Sequence, residues 1–269
     1  MIDQSREVFN DIPSLVRTIF YIAAAISIIV FFTGSWLRIS TWFKGGDDPN
    51  DPVPKKSTLG LARISLLYIF SRDCLFAKRV VERSKLRAVM LLFVYWGFIV
   101  LFIGTMIVAI DYDMGADILK GGVYLYYSLV LDISGGFFII GLLFFILRRY
   151  IFSRGAVVSA WDDAAVLILM LIIAVSGFCI EGIRLARFNP PSMDWSPVGA
   201  AFSVVIKALI PDDGILLSLY RIFWVFHAAT ALFFIAFLPF SKQFHMFAAQ
   251  ITTLEAGMRK SKLMELVHD

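Results

Sequence analysis

The sequence predicts an all-α membrane protein, with five transmembrane helices in a bundle and amphipathic helices at the membrane surface. Of its 269 residues 59% are hydrophobic and the mean hydropathy is +0.79, more apolar surface than one soluble core of this size can bury. The apolar residues gather into five runs, at 15–37, 88–110, 121–147, 162–183 and 216–240. Each is long enough to cross about 30 Å of hydrocarbon. A single membrane domain over 1–269 follows.

The first run is preceded by MIDQSREVFNDI, polar and mixed in charge. That is no cleavable signal pattern, and the run itself is too long for a signal-peptide core, so it is expected to stay as the first helix. The loop 38–87 opens with the turn-rich KGGDDPNDPVPKK, which cannot continue a helix. From Leu59 to Arg87 apolar clusters alternate with Arg63, Arg72, Lys78, Arg79, Arg83, Lys85 and Arg87, the pattern of an amphipathic helix on the membrane surface. Asp162 and Asp163 open the fourth run, where they suit its N-terminal dipole. In the loop 184–215, FNPPSMDWSP reads as a stiff turn. The following PVGAAFSVVIKALIPDDG is too short and interrupted to span, and is expected to lie as a helix on the outer surface. The tail 241–269 is amphipathic and ends in the charged MRKSKLMELVHD.

Of the 25 lysines and arginines, eighteen fall in the first loop, the third loop and the tail, and seven on the other side, in the N-terminus, the other two loops and the outer ends of the first and last runs (Arg17, Arg221). By the positive-inside rule the N-terminus is outside and the tail cytoplasmic.

Several function classes are excluded. Cys74 and Cys179 lie far apart and neither belongs to a CxxC, so this chain alone builds no cysteine-ligated cluster or zinc site. There is no P-loop, no GxGxxG after a strand and no nucleophile motif. No nucleic-acid partner is expected. A transporter would fit the helix count, but neither an inverted repeat nor a broken mid-membrane helix is present.

Two of the three histidines, His227 within the last run and His245 just beyond it, stand eighteen residues apart. Five helical turns put their imidazoles on one side at levels about 27 Å apart. They cannot share one haem, yet each suits one of two haems near the two membrane surfaces, histidine being the usual axial ligand. Asp132 is the one carboxylate deep in the third run, next to Ser134, Gly135 and Gly136. It reads either as an interhelical hydrogen bond or as part of a proton path. At the outer rim Asp111, Asp113, Glu181, Arg184 and Arg221 converge, with Tyr112, Asp117, Arg187 and Tyr220 nearby. They read either as solvated helix ends or as a quinone site, where a donor meets the carbonyl and a carboxylate exchanges protons with water.

PFSKQFH after an apolar helix, with a histidine eighteen residues upstream, and GSWLR at 34–38 resemble the gamma subunit of respiratory nitrate reductase, a five-helix di-haem cytochrome b that oxidises quinol. YWGFIVLFIGTMIVAIDYD, VLDISGG followed by RRY, WDDAAVLILMLIIAVSGFCIEGIRLA, WSPVG and FHAATALFFIAFLPFSKQFH are similar to the membrane parts of heterodisulfide-reductase-like complexes and of electron-transfer-flavoprotein:menaquinone oxidoreductases. The agreement runs in order from Arg87 to His245.

The resemblance implies haem b, a menaquinone-type quinone, a prokaryotic cytoplasmic membrane and a cysteine-rich iron–sulfur or flavoprotein partner on the cytoplasmic side. It also implies ligand positions that this chain fills differently. Leu91 stands where relatives carry the histidine of the cytoplasmic-side haem, and Thr105 where the nitrate reductase subunit carries that of the outer haem. The surviving ligand candidates are His227 and His245, with Met90 as a substitute beside Leu91, so zero to two haems are implied. The expected function is a membrane subunit passing electrons between that partner and quinone, non-catalytic alone or quinone-reactive. The alternative is a haem-free structural anchor.

Overall fold

The computed structural model describes Phe9 and residues 11–43, 84–152, 161–241 and 244, the side chains of 41–43, 152 and 161–163 excepted. The first-loop amphipathic stretch up to 83, Cys74, the tail, His245 and His268 lie outside the described residues, as do the side chains of Asp162 and Asp163.

The described chain is helical: α1 (Ser14–Phe43), α2 (Lys85–Asp113), α3 (Gly121–Leu147), α4 (Trp161–Phe188), α5 (Pro197–Leu209) and α6 (Asp213–Phe237). Short turns at Arg148–Phe152, Pro191–Trp195 and Leu238–Phe240 extend or join them. All but α5 are long and apolar enough to cross a membrane, giving the five expected spans and a multi-pass membrane protein.

The boundaries have local causes. Ser84 precedes α2, and its carbonyl accepts the first helical N–H, from Ala88. Helix α4 ends where Asn189 takes a left-handed conformation (φ 40°) and Pro190 follows. Asp212 caps α6, accepting the Ile215 N–H at 2.8 Å.

By its contacts the chain forms two compact units, one of residues 1–27 and 90–235, the other of 28–89 and 236–269. In the first, α2 and α3 approach closely through small residues. A Cβ on Gly97 would stand 2.7 Å from the Phe138 Cβ and 3.1 Å from the Ser134 carbonyl oxygen. Such contact replaces the hydrophobic drive that helices lack in lipid. Val94, Phe138, Leu142 and Ala174 form one core of this unit, and Ile12, Ile183, Ala186, Leu216 and Tyr220 another. Most remaining apolar side chains face outward, as hydrocarbon solvent permits.

Helix α5 forms within the segment expected to lie on the outer surface. It packs along α4 and against α3, with Phe202 and Ile206 pressed onto Gly182. Its own Ser196 makes no side-chain cap. Asp132 of α3 caps it instead, through the Val198 N–H at 2.6 Å and the Gly199 N–H at 2.8 Å. Asp132 lies eleven residues into α3, about 16 Å along its axis. The outward side of α5 is also apolar, with Val204, Val205 and Leu209 at least 58% exposed.

In the second unit, the end of α1 meets the turn after α6. Gly34 admits the Phe240 ring, and the Arg38 guanidinium donates to the Phe240 carbonyl at 3.2 Å.

Candidate functional site

His227 sits half-buried on α6 against α4. Its Nδ1 lies 3.1 Å from the Ile173 carbonyl oxygen and 3.0 Å from the Ser176 hydroxyl. A carbonyl only accepts, so Nδ1 carries the proton and Nε2 keeps its lone pair. The Ser176 hydroxyl donates to the same carbonyl at 3.0 Å. Gly177 leaves room for the ring, since a Cβ there would stand 3.3 Å from the imidazole Cε1. An imidazole fixed through Nδ1–H to a backbone carbonyl is oriented as a ligand or as a base.

Among the described residues, the family's other ligand positions carry no imidazole. Thr105 gives its hydroxyl to the Leu101 carbonyl of its own helix at 3.0 Å. Leucine has no donor atom, so Leu91 offers none. The Met90 backbone carbonyl packs where α3 passes at Gly141, and His245 lies outside the described residues. Among the described residues no group of three His, Cys, Asp or Glu side chains is placed to hold a metal. Of the two histidine ligand candidates, His227 is the one among the described residues.

The five rim candidates take four different engagements. Asp111 accepts the backbone N–H groups of Ile118 and Leu119 and shapes the α2–α3 turn. Asp113 accepts the Tyr21 hydroxyl at 2.6 Å. Arg221 donates to the Asp11 carbonyl at 2.8 Å. Glu181 and Arg184 are paired in a two-pronged ion pair at 2.7 and 3.0 Å. The Glu181 stem also adjoins Gly199, where Asp132 caps α5. Asp132 has both carboxylate oxygens on backbone amides, the interhelical bond of the two readings open from its sequence.

Sequence reasoning missed the surroundings of Phe9. Its ring is met by Tyr112 (5.2 Å between centroids), Trp224 (5.4 Å), Phe20 and Tyr21 (both 5.9 Å). Arg187 holds the segment by pairing with Asp11 at 2.8 Å and Asp213 at 3.1 Å. A lone phenylalanine in an otherwise polar N-terminal stretch was the only signal.

Similarity to known proteins bears on identity. Residues 75–259 match the family described as nitrate reductase gamma subunit. The chain is 30% identical to an EtfAB:quinone oxidoreductase of Syntrophomonas wolfei over 86% of its own length, but spans only 32% of that relative. It is 27% identical to one subunit of the dihydromethanophenazine:CoB–CoM heterodisulfide reductase of Methanosarcina thermophila, covering 87% of this chain and 89% of that one. No solved structure matches. GSWLR lies outside the 75–259 match, whereas α2 to α6 lie within it. The chain therefore belongs to the nitrate reductase gamma subunit family.

Proposed function

We propose that this chain is the membrane subunit of a redox complex, exchanging electrons between a partner of iron–sulfur or flavoprotein class and a menaquinone-type quinone. The two similar proteins are named as a quinone oxidoreductase and a heterodisulfide reductase subunit, and the first is about three times longer than this chain. The partner would dock on the more basic side, the first loop and tail, which the positive-inside rule makes cytoplasmic. The reaction is quinone plus two electrons and two protons giving quinol, or its reverse. The partner takes or supplies the electrons, and water the protons.

The observation that carries this reading is the hydrogen bonding of His227. With Nδ1–H on the Ile173 carbonyl, Nε2 accepts. A neutral His227 can thus receive a quinol O–H and take its proton, and donates to a quinone carbonyl only after it has been protonated. Asp113, through Tyr21, and the Glu181–Arg184 pair are proposed to relay protons at the rim, while Asp111 and Arg221 hold its loops. No step is routed through haem.

The test is a reduced-minus-oxidised spectrum with a pyridine haemochrome count on the purified complex, alongside quinone activity of His227→Ala. The expected haem b count per chain is zero or one, with activity lost in the variant. A haem that is lost in His227→Ala would make His227 an axial ligand and overturn its role as a base. Retained activity in His227→Ala would favour the anchor, the reading supported by Leu91 and Thr105 standing where relatives carry ligands.

A further inference from the structure

We propose that the rings of Phe20, Tyr21, Tyr112 and Trp224 form the socket for a quinone headgroup, and that Phe9 is its resident plug. This rests on the quinone reading above and adds the place and a gate.

The socket is built by three spans: α1 supplies Phe20 and Tyr21, α2 Tyr112, and α6 Trp224. Phe20 and Trp224 also meet each other edge to face at 5.3 Å. Four rings around a fifth planar ring are the surroundings that a quinone's flat, apolar ring would take, in offset and edge contacts. The rim adds oxygen chemistry: Tyr21 donates to Asp113 at 2.6 Å, and Arg17 reaches the Tyr112 hydroxyl at 3.5 Å. A phenol backed by a carboxylate can meet a ring oxygen and pass its proton to water. Trp224 precedes His227 by three residues on α6, a rise of about 4.5 Å. The socket is therefore one turn from the acceptor nitrogen's residue.

The plug is held in a manner suited to release. Phe9 and Asp11 both have positive φ, 60° and 59°, a conformation that aspartate tolerates and that a bulky residue such as phenylalanine rarely adopts. The Ile12 N–H closes the turn on the Phe9 carbonyl at 3.1 Å. Side-chain interactions hold this hook against its backbone preference: the Phe9 ring in the socket, and Asp11 between Arg187 and Arg221. A ring that replaces Phe9 relieves that conformation, and until then the hook lowers apparent affinity by the fraction of time it is closed.

The experiment is equilibrium binding of tritiated 2-methyl-1,4-naphthoquinone to the full chain in lipid nanodiscs. Removing the plug in Phe9→Ala is expected to tighten binding about tenfold, and removing a wall in Trp224→Ala to weaken it about tenfold. If the naphthoquinone binds but both variants stay within about twofold of the unaltered chain, the socket only anchors the N-terminal hook and the proposal fails. Should the probe bind no variant and not the unaltered chain, the quinone reading itself falls. An azido-naphthoquinone photolabel needs no variant: adducts at Phe20–Tyr21 or Trp224 support the socket, and adducts confined to Glu181–Arg184 overturn it.

Discussion

Asp132 accepts the backbone N–H of Gly199 at 2.8 Å, a bond across 67 residues of sequence that joins the middle of α3 to the first turn of α5. Its other oxygen takes Val198, so a carboxylate only 6% exposed is neutralised by a helix N-terminus rather than by a cation. Replacing it tests that account. Asp132→Asn keeps one acceptor and turns an NH2 toward the second amide, at an expected cost of about 2 kcal/mol. Asp132→Ala orphans both amides and costs more. Thermal unfolding in detergent measures both. Asp132→Asn as stable as the unaltered chain would mean that the charge on Asp132 contributes nothing, and equal stability of the two variants that the acceptor kept by asparagine contributes nothing.

His227 and Ser176 separate chemistry from support. His227→Ala is expected to lower quinone activity of the complex about a hundredfold, the scale of a lost general base. Ser176→Ala leaves the Ile173 carbonyl to hold Nδ1–H, and should cost less than about threefold. Steady-state rates with a short-chain quinone or quinol decide. A Ser176→Ala loss as large as that of His227→Ala would assign the proton position on the imidazole to serine.

Two glycines differ in what a methyl group meets. Gly97→Ala drives a Cβ to within 2.7 Å of Phe138, and the overpacking should cost about 1–3 kcal/mol. Gly122→Ala meets nothing within 4 Å and should be neutral. Tm values of the two variants in one detergent make the comparison.

Arg187 is 10% exposed and forks between Asp11 and Asp213. Lysine keeps the charge but cannot bridge both carboxylates in that geometry. Arg187→Lys should speed amide hydrogen exchange at Asp11 and Ile12 about tenfold or more, and tighten naphthoquinone binding in the same sense as Phe9→Ala. Unchanged exchange would show that the hook is held by other contacts.

The spans were legible because hydropathy reports which residues leave water, and a twenty-residue run has no other comfortable solvent. Neighbours were less legible, for the same reason. Helix α3 is apolar on every side, so nothing in its pattern says that Gly97 and Gly104 of α2 lie on it while Phe178 of α4 fills the space at Gly135. Asp132 was visible as an oddity but not its partners, which are main-chain groups of a segment whose composition resembles a surface helix. Among the rim residues, charge and position along the helices placed all five at one end. Which pairs would form depended on rotations of the helices that no periodicity encodes: Glu181 with Arg184 is local, Arg221 with Asp11 spans 210 residues. The two histidines stood out by spacing, whereas the proton position on His227 depends on one carbonyl of a different helix.

That carbonyl has an energetic consequence for electron transfer. An imidazole whose only free nitrogen accepts is selective between the two redox states of a ligand, because quinol offers a hydroxyl proton and quinone does not. Preferential binding of the reduced form raises the midpoint potential of the bound couple relative to the free pool, by about 30 mV for each tenfold difference in affinity in a two-electron exchange. The Ile173 carbonyl, through His227, would thus make the bound quinone a better oxidant than the pool that supplies it, while the net direction of flow stays set by the partner and the pool.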